Sequence, residues 1–408
     1  MSAIAGIVDG IFGAFPGGWR YMFGMAAVPG TVMFLGFLRL PESPAWLMSA
    51  GREKEATSIL HSVRDSDSEV ESECDELKES ICNLSAKRDL CGLLANRGTR
   101  KALLVGCFLM VMQQLCGVNV IMYYSATIYR MSGFNELTAI WLAAFTALAQ
   151  LGGLTLSVYY VEKMGRRPLL LFSFTAVAVC LLGLQLSFYL ARVLSPEVDL
   201  SRSDAECQQQ PARIWDGVSR YCYDCSLIEG CGYCGGACVK GSPTGPFDPE
   251  VCDAADWQYD VCDVPVVRWV PVIFMVLYLV VFGIGAGGLP WTVNAELYPV
   301  HCRSISVSIS TATNWLCNLM VSTTFLTISD PSELTLSGSF GLYAIVTLLG
   351  VLWLYWNLPE TKGASPDQLN LFFNSTEPDA STFVATESPS LCSTARGSEK
   401  GYTTYESV

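Results

Sequence analysis

An all-α polytopic membrane protein is the fold class that the sequence predicts, and three observations predict it. Apolar runs of about bilayer length recur along the 408 residues. Hydrophobic residues make up 51% and charged ones only 15%, less charge than a soluble domain carries. Basic residues gather between alternate runs, as a fixed orientation in a bilayer requires. The net charge of −13 gives no sign of a nucleic-acid partner, since the excess acid sits in one loop and the tail. The opening residues, MSAIAGIVDGIFGAF, lack the basic start of a cleavable leader.

Residues 2–15 are apolar but short, and read as the end of a helix. After the turn Pro16-Gly17-Gly18, a full span runs from Trp19 to Leu40, with Trp19, Arg20 and Tyr21 at its interface. Pro41 and Pro44 stop it. Residues 41–100 are polar and of mixed charge, a linker of short amphipathic helices outside the membrane. Further spans are expected at Lys101–Ser125, Leu137–Tyr160, Pro168–Ala191, Val267–Leu297, Ser304–Ile328 and Gly338–Trp356. A long acidic loop with eight cysteines separates the fourth from the fifth. Residues 364–408, rich in Ser, Thr, Glu and Gly, read as a disordered tail. The flank formed by Arg52, Lys54, Arg64, Lys87, Arg88, Arg97, Arg100 and Lys101 is expected to be cytoplasmic. Lys163, Arg166, Arg167, Arg303 and Lys362 fall on the same side, so the cysteine loop (193–265) faces outside or into a lumen.

The 101–125 stretch is unusual for its depth. Gln113, Gln114 and Asn119 stand in its middle, where amides are costly unless they face a neighbouring helix or a watery cavity. Gln113 and Asn119 do not share a face of a straight helix, but Gly117 between them can loosen the turn. Two readings fit: amides converging on a ligand, or an interhelical hydrogen-bond patch.

Six segments together resemble the sugar-transporter family of the major facilitator superfamily. They are PESPAWL at 41–47, QQLCGVN at 113–119 with YYS at 123–125, EKMGRRP at 162–168, GLPWTVNAELYP at 288–299, NWLCN at 314–318 and PETKG at 359–363. Within that family the eight-cysteine insertion, with GWRYMFGMAAVP and GVNVIMYYSATIYRMSG, is similar to the proton-coupled myo-inositol cotransporters. The core of the insertion, CYDCSLIEGCGYCGGAC, is similar to a plexin-semaphorin-integrin cysteine module. The resemblance implies the superfamily's helical fold, here in part. Residues 1–40 match the last one to two helices of its first half, and 101–363 match its six-helix second half. Helices one to four of the family have no counterpart, and with them goes the acidic residue that takes the proton in related members. Either a partial gene model or a short isoform would have this form.

The resemblance implies alternating access about a central polyol site. Residue by residue, it places Gln113, Gln114 and Asn119 on hydroxyls, and Gln150 where the family has an Asn. It places Trp291 against the ring, with Asn314 and Trp315 lining the floor. The chemistry is apt: amides donate and accept, and indole faces cover C–H faces. Asn318 shares the Asn314 face. The glycine run ending in Gly287, Gly288 and Pro290 cannot be a stiff helix, and reads as a hinge or as close small-residue packing. Gly283 stands where hexose carriers have an acid. Tyr123 and Tyr124 read as an outer gate or as interfacial anchors. Glu42, Glu162, Arg166, Arg167, Glu296, Arg303 and Glu360 are implied to pair when the inner side closes. Ala45 replaces a usual Arg of that network. Lys163 and Lys362 read better as solvated surface.

Cys207, Cys222, Cys225, Cys231, Cys234, Cys238, Cys252 and Cys262 form an even exoplasmic set, so disulfides are expected with connectivity unreadable. Zinc fits the CxxC units less well, because the gap from Cys225 to Cys231 is short. The module reads as a stapled cap or a surface for a protein partner. Cys107, Cys116 and Cys317 read as small core residues. His61 and His301 fall in cytoplasmic segments, and Tyr405–Val408 resembles a sorting signal. No nucleophile–base pair or metal set points to an enzyme, and no cofactor is implied. The expected function is transport of a polyol, myo-inositol with protons, across the plasma membrane or an intracellular vesicle membrane. The alternatives are a facilitative hexose transporter and a non-transporting membrane binding protein that uses its cysteine module.

Overall fold

The computed structural model describes residues 2–374, apart from 14, 65, 85–96, 209–219, 249–251, 253–255, 260, 263, 266, 299–301, 331–333 and 365. Lys87, Arg88, His301 and the tail from 375 with its Tyr405–Val408 signal lie outside the described residues.

Two helices open the chain, α1 (Ser2–Phe12) and α2 (Trp19–Phe37). Three short ones follow, α3 (Pro44–Ser49), α4 (Glu53–Val63) and α5 (Asp67–Leu84). Their apolar faces bury Leu47, Met48, Ala56, Leu60, Val70 and Cys74 in a small core of their own. Arg64–Glu73 at 2.9 Å and Arg52–Glu55 brace the surface.

The main bundle comprises α6 (Arg97–Leu115), α7 (Val118–Met131), α8 (Glu136–Met164) and α9 (Arg166–Val193). It continues with α11 (Trp269–Ile284), α12 (Leu289–Glu296), α13 (Arg303–Ile328) and α14 (Thr335–Asn357). The closest pairs are α9 with α14, α8 with α11, and α9 with α11; α6 packs on α13, and α1 lies along α8. Side chains permit that closeness: a Cβ on Gly153 would strike the Val280 carbonyl, and one on Gly183 would strike the Phe274 ring. One core results, built around Leu109, Phe174, Leu181, Tyr278 and Phe340.

Among the described residues, five stretches are long and apolar enough to cross a membrane: 97–131, 136–164, 166–193, 269–296 and 335–357. The expected spans at Trp19–Leu40 and Ser304–Ile328 are helical but fall outside that set. Serines, threonines and asparagines dilute the apolar residues of α13. The helical stretch that contains the expected 101–125 span begins at Arg97 and continues to Met131. The tail is corrected: Pro366–Asn374 form a helix, α15, which packs on α6 and buries Leu369, Phe372 and Phe373.

Between α9 and α11 sits the cysteine module. It holds a 3₁₀ turn (Leu200–Arg202), the short α10 (Cys222–Ser226), and β1 (Cys231–Cys234), β2 (Ala237–Ser242), β3 (Gly245–Pro246) and β4 (Gln258–Tyr259). The antiparallel sheet has the order β3-β2-β1-β4, with Cys231 opposite Lys240 and Gly232 opposite Tyr259. All eight cysteines stand in pairs at disulfide distance: Cys207 with Cys231, Cys222 with Cys262, Cys225 with Cys238, and Cys234 with Cys252.

Candidate functional site

Two breaks in helices shape the interior. The first separates α6 from α7 at Gly117, whose φ of +83° is the left-handed conformation that favours glycine. Tyr343 of α14 packs over it at 3.4 Å from where a Cβ would stand. Tyr278 donates to the Cys116 carbonyl at 2.9 Å, satisfying an acceptor that the break frees. The second break separates α11 from α12 at Gly285–Gly288. Its polar groups are satisfied from neighbouring helices. The Gln113 amide donates to the carbonyls of Ala286 and Gly287, both at 2.9 Å, and the Ala286 N–H donates to Ser173 Oγ at 2.9 Å. Irregular backbone inside a membrane survives under that condition.

The amides form a chain across these breaks. Asn119 Nδ2 donates to Gln114 Oε1 over a short contact. Gln114 Nε2 donates to Asn314 Oδ1 at 3.0 Å. Asn314 Nδ2 in turn donates to Gln113 Oε1 at 2.9 Å and to the Met110 carbonyl at 3.2 Å. So α6, α7 and α13 bring together four of the expected residues, Gln113, Gln114, Asn119 and Asn314. Gln113, Gln114 and Asn314 are buried, and Asn119 is half-buried.

The four are unequal in what remains to them. Gln113 spends both N–H groups on the hinge carbonyls, and Asn314 spends both on Gln113 and Met110. Among the described residues, Gln114 keeps one N–H, and Asn119 keeps one N–H and its carbonyl oxygen. The interhelical hydrogen-bond patch is thus present, and two of its members, Gln114 and Asn119, keep unused N–H groups.

Other expected residues lie apart from this chain. Gln150 is half-buried, and its backbone carbonyl lies 2.8 Å from where a Cβ on Gly283 would stand. No side chain fits at position 283, where hexose carriers have an acid. Trp291 and Trp315 are exposed, at 38% and 61%. Asn318 accepts from Ser322 Oγ at 3.4 Å. Tyr124 donates to the Ser322 carbonyl at 3.1 Å and packs on Phe325, tying α7 to α13, whereas Tyr123 is exposed. Gly287 and Gly288 fall in the second break, and Pro290 opens α12.

A second cluster lies at the start of α9. Glu360 accepts from the backbone N–H groups of Arg166 at 2.9 Å and Arg167 at 3.0 Å, a carboxylate on a helix N-terminus. Gly165, with φ +87°, leaves the room: its Cβ would stand 2.7 Å from Glu360 Oε2. Arg166 pairs with Glu296 at 3.3 Å, and Thr361 donates to Glu296 at 2.6 Å. Arg167 donates to the Tyr355 carbonyl at 2.7 Å, while Arg303 Nε reaches the Tyr298 carbonyl at 3.4 Å. Glu42 and Glu162 are exposed, and no ion pair joins them to the cluster among the described residues. Lys362 is exposed, as expected of solvated surface, and its Nζ donates to the Glu162 carbonyl at 2.5 Å. Lys163 lies over the Tyr159 ring.

Sequence reasoning missed Ser173, Tyr278 and Tyr343, which support the two breaks, and Thr361. Thr361 sits inside a quoted motif; the other three carry no local signal.

A model of the family described as "Sugar (and other) transporter" matches residues 3–196 and 254–373. The human proton myo-inositol cotransporter is 37% identical over 396 residues, 91% of this chain and 60% of that protein. Probable inositol transporter 3 of Arabidopsis thaliana is 32% identical, covering 85% of this chain and 63% of that protein. The chain thus spans about 60% of the length of these relatives. In fold it is similar to the proton:xylose symporter XylE bound to 6-bromo-6-deoxy-D-glucose. The TM-score is 0.59 at 20% identity, over 87% of this chain and 59% of that one. The partially occluded, inward-open form of XylE from E. coli gives 0.58 at 20% identity, over 89% and 61%.

Proposed function

The chain belongs to the Sugar (and other) transporter family, and from that premise we propose that it carries a polyol, myo-inositol, by alternating access with protons as co-substrate. The observation that carries this reading is the amide chain through Gln113, Gln114, Asn119 and Asn314. A many-hydroxyl, uncharged guest needs donors and acceptors side by side and no fixed charge. Gln114 and Asn119 offer that pair of valences. Gln113 and Asn314 hold the pair in place and tie it to the α11–α12 break, so a guest that draws on Gln114 acts on the hinge through Asn314 and Gln113. The named activities of the human and Arabidopsis relatives favour inositol within the polyols.

On this reading Trp291, Trp315 and Gln150 complete the site only in another state or with further helices. The Glu360 cap and the Arg166–Glu296 pair act as the inner latch. The cysteine module faces the exterior, where its pairs persist.

The deciding experiment is uptake of labelled myo-inositol by cells expressing the full protein, with surface amount measured. Saturable uptake stimulated by external acid is expected, with loss in Gln114→Ala. Uptake unchanged by Gln114→Ala and by Asn119→Ala removes the site. Binding without flux reduces the protein to a membrane receptor for the polyol.

A further inference from the structure

A hollow of about 520 Å³ opens between α9 and α14, at the end of the bundle that carries the cysteine module. Leu182, Leu186 and Leu334 give it apolar walls, and Gln185, Thr335 and Ser337 add polar groups. Gln185 stands roughly 28 Å along α9 from Arg166, at ~1.5 Å per residue, against a hydrocarbon core about 30 Å thick. Thr335 opens α14. The hollow therefore lies where acyl chains meet headgroups. Leu182 and Leu186 are exposed, so it opens toward lipid.

Its polar groups are unequally engaged. Ser337 Oγ donates to the backbone carbonyl of Gln185 at 3.1 Å. Thr335 Oγ1 accepts from the Gly338 N–H at 3.4 Å and keeps its own O–H. Thr335 is held there at φ +62°, a costly conformation for a residue with a branched Cβ. The side-chain amide of Gln185 makes no hydrogen bond among the described residues. It lies against α14 where Gly341 leaves the room: a Cβ there would stand 2.9 Å from its Cδ and Nε2 and 3.0 Å from its Oε1. An amide in a membrane span is costly unless something answers it. Here a glycine makes space for an amide that no described protein group answers.

Charge decides what can answer it. Among the described residues, no lining side chain is a carboxylate or a cation. Arg192, about two turns further along α9, is paired with Asp224. A lipid phosphate would give up water here and gain no cation. A neutral hydroxyl on an apolar body suits the lining better. The amide meets the hydroxyl as donor or acceptor, the leucines meet the body, and a rigid body loses little freedom on settling.

We propose that the α9–α14 hollow binds a membrane sterol, with its hydroxyl on the Gln185 amide and its ring body on Leu182, Leu186 and Leu334. The bound sterol braces α9 against α14. The site is separate from the amide chain of Gln113, Gln114, Asn119 and Asn314, and does not depend on what the bundle carries.

The test is photolabelling of the full protein in phosphatidylcholine liposomes with a photoreactive cholesterol analogue, the labelled peptides being identified by mass spectrometry. Label is expected on 182–189 or 334–341, displaced by excess cholesterol and not by its epimer with the hydroxyl inverted. Gln185→Leu should cut that label about threefold to tenfold, the worth of one hydrogen bond. The same change takes an unanswered amide out of the bilayer, so the melting temperature in sterol-free detergent should not fall. Leu182→Trp fills the hollow from the lipid side with the amide left in place, and should abolish the label. Label unchanged in both variants, or displaced equally by the epimer, overturns the proposal. Displacement by a diacylglycerol and not by cholesterol gives the hollow to another neutral lipid and overturns the sterol. A lower melting temperature of Gln185→Leu shows the amide to be bonded within the protein and overturns it as well. None of these readouts requires transport, so failure of the polyol reading leaves the sterol test intact.

Discussion

Gln114 and Asn119 keep N–H donors, and Gln113 and Asn314 have no donor to spare. The two pairs should therefore fail differently. Gln114→Ala is expected to weaken myo-inositol binding about tenfold or more, the worth of one buried hydrogen bond, with the fold intact. Gln113→Ala leaves two carbonyls of the α11–α12 break without their donor. Thermal unfolding in detergent should show that loss, about 1–3 kcal/mol per orphaned group, even with no polyol present. Equal stability of the two variants would contradict the division. In the cysteine module, Ser201's hydroxyl and backbone N–H hold the Asp199 carboxyl below its usual range. The sign follows: a depressed folded value stabilises above the unfolded value of 3.8 and is lost as pH falls through the folded one. Asp199→Asn should flatten the module's acid unfolding in that window, read by circular dichroism at low pH.

Helices meet through groups that their sequences show only in part. Gly117 was legible as the loosened turn because it lies between amides that a straight helix separates. The α11–α12 break was legible in its glycines. What stitches each break was not: Ser173, Tyr278 and Tyr343 look like ordinary helix residues, and their partners are more than fifty residues away in sequence. The same holds for Gly106, whose missing Cβ admits the Tyr298 hydroxyl between α6 and α12. Gly106→Ala should cost about 1–3 kcal/mol by overpacking, seen as a lower melting temperature. At the start of α9 the cap is Glu360. Glu360→Gln should speed hydrogen exchange at the Arg166 and Arg167 amides about tenfold, and unchanged exchange would show the cap to be idle.

The whole molecule joins a membrane bundle to a cross-linked module, and a buried ion pair stands at the joint. Arg192, at the end of α9, donates to Asp224 from Nε at 2.6 Å and Nη2 at 3.1 Å, with Asp224 only 1% exposed. Arg192→Met should cost about 3–5 kcal/mol, because it leaves a buried carboxylate without that cation. Bundle and module were legible as separate units from composition and cysteine count; their joint was not, because Arg192 reads as any interfacial arginine. The helix α15 escaped for a related reason: Leu369, Phe372 and Phe373 are sparse in a polar tail and make sense only against α6. On the proposed reading, uncharged amides inside the bundle hold a polyol. Electron cryo-microscopy of the full protein with myo-inositol tests it most directly. Ring-shaped density is expected within hydrogen-bond distance of Gln114 and Asn119, with Gln113 still on the carbonyls of Ala286 and Gly287. Density lodged elsewhere, with the amide chain closed as it is here, would contradict it.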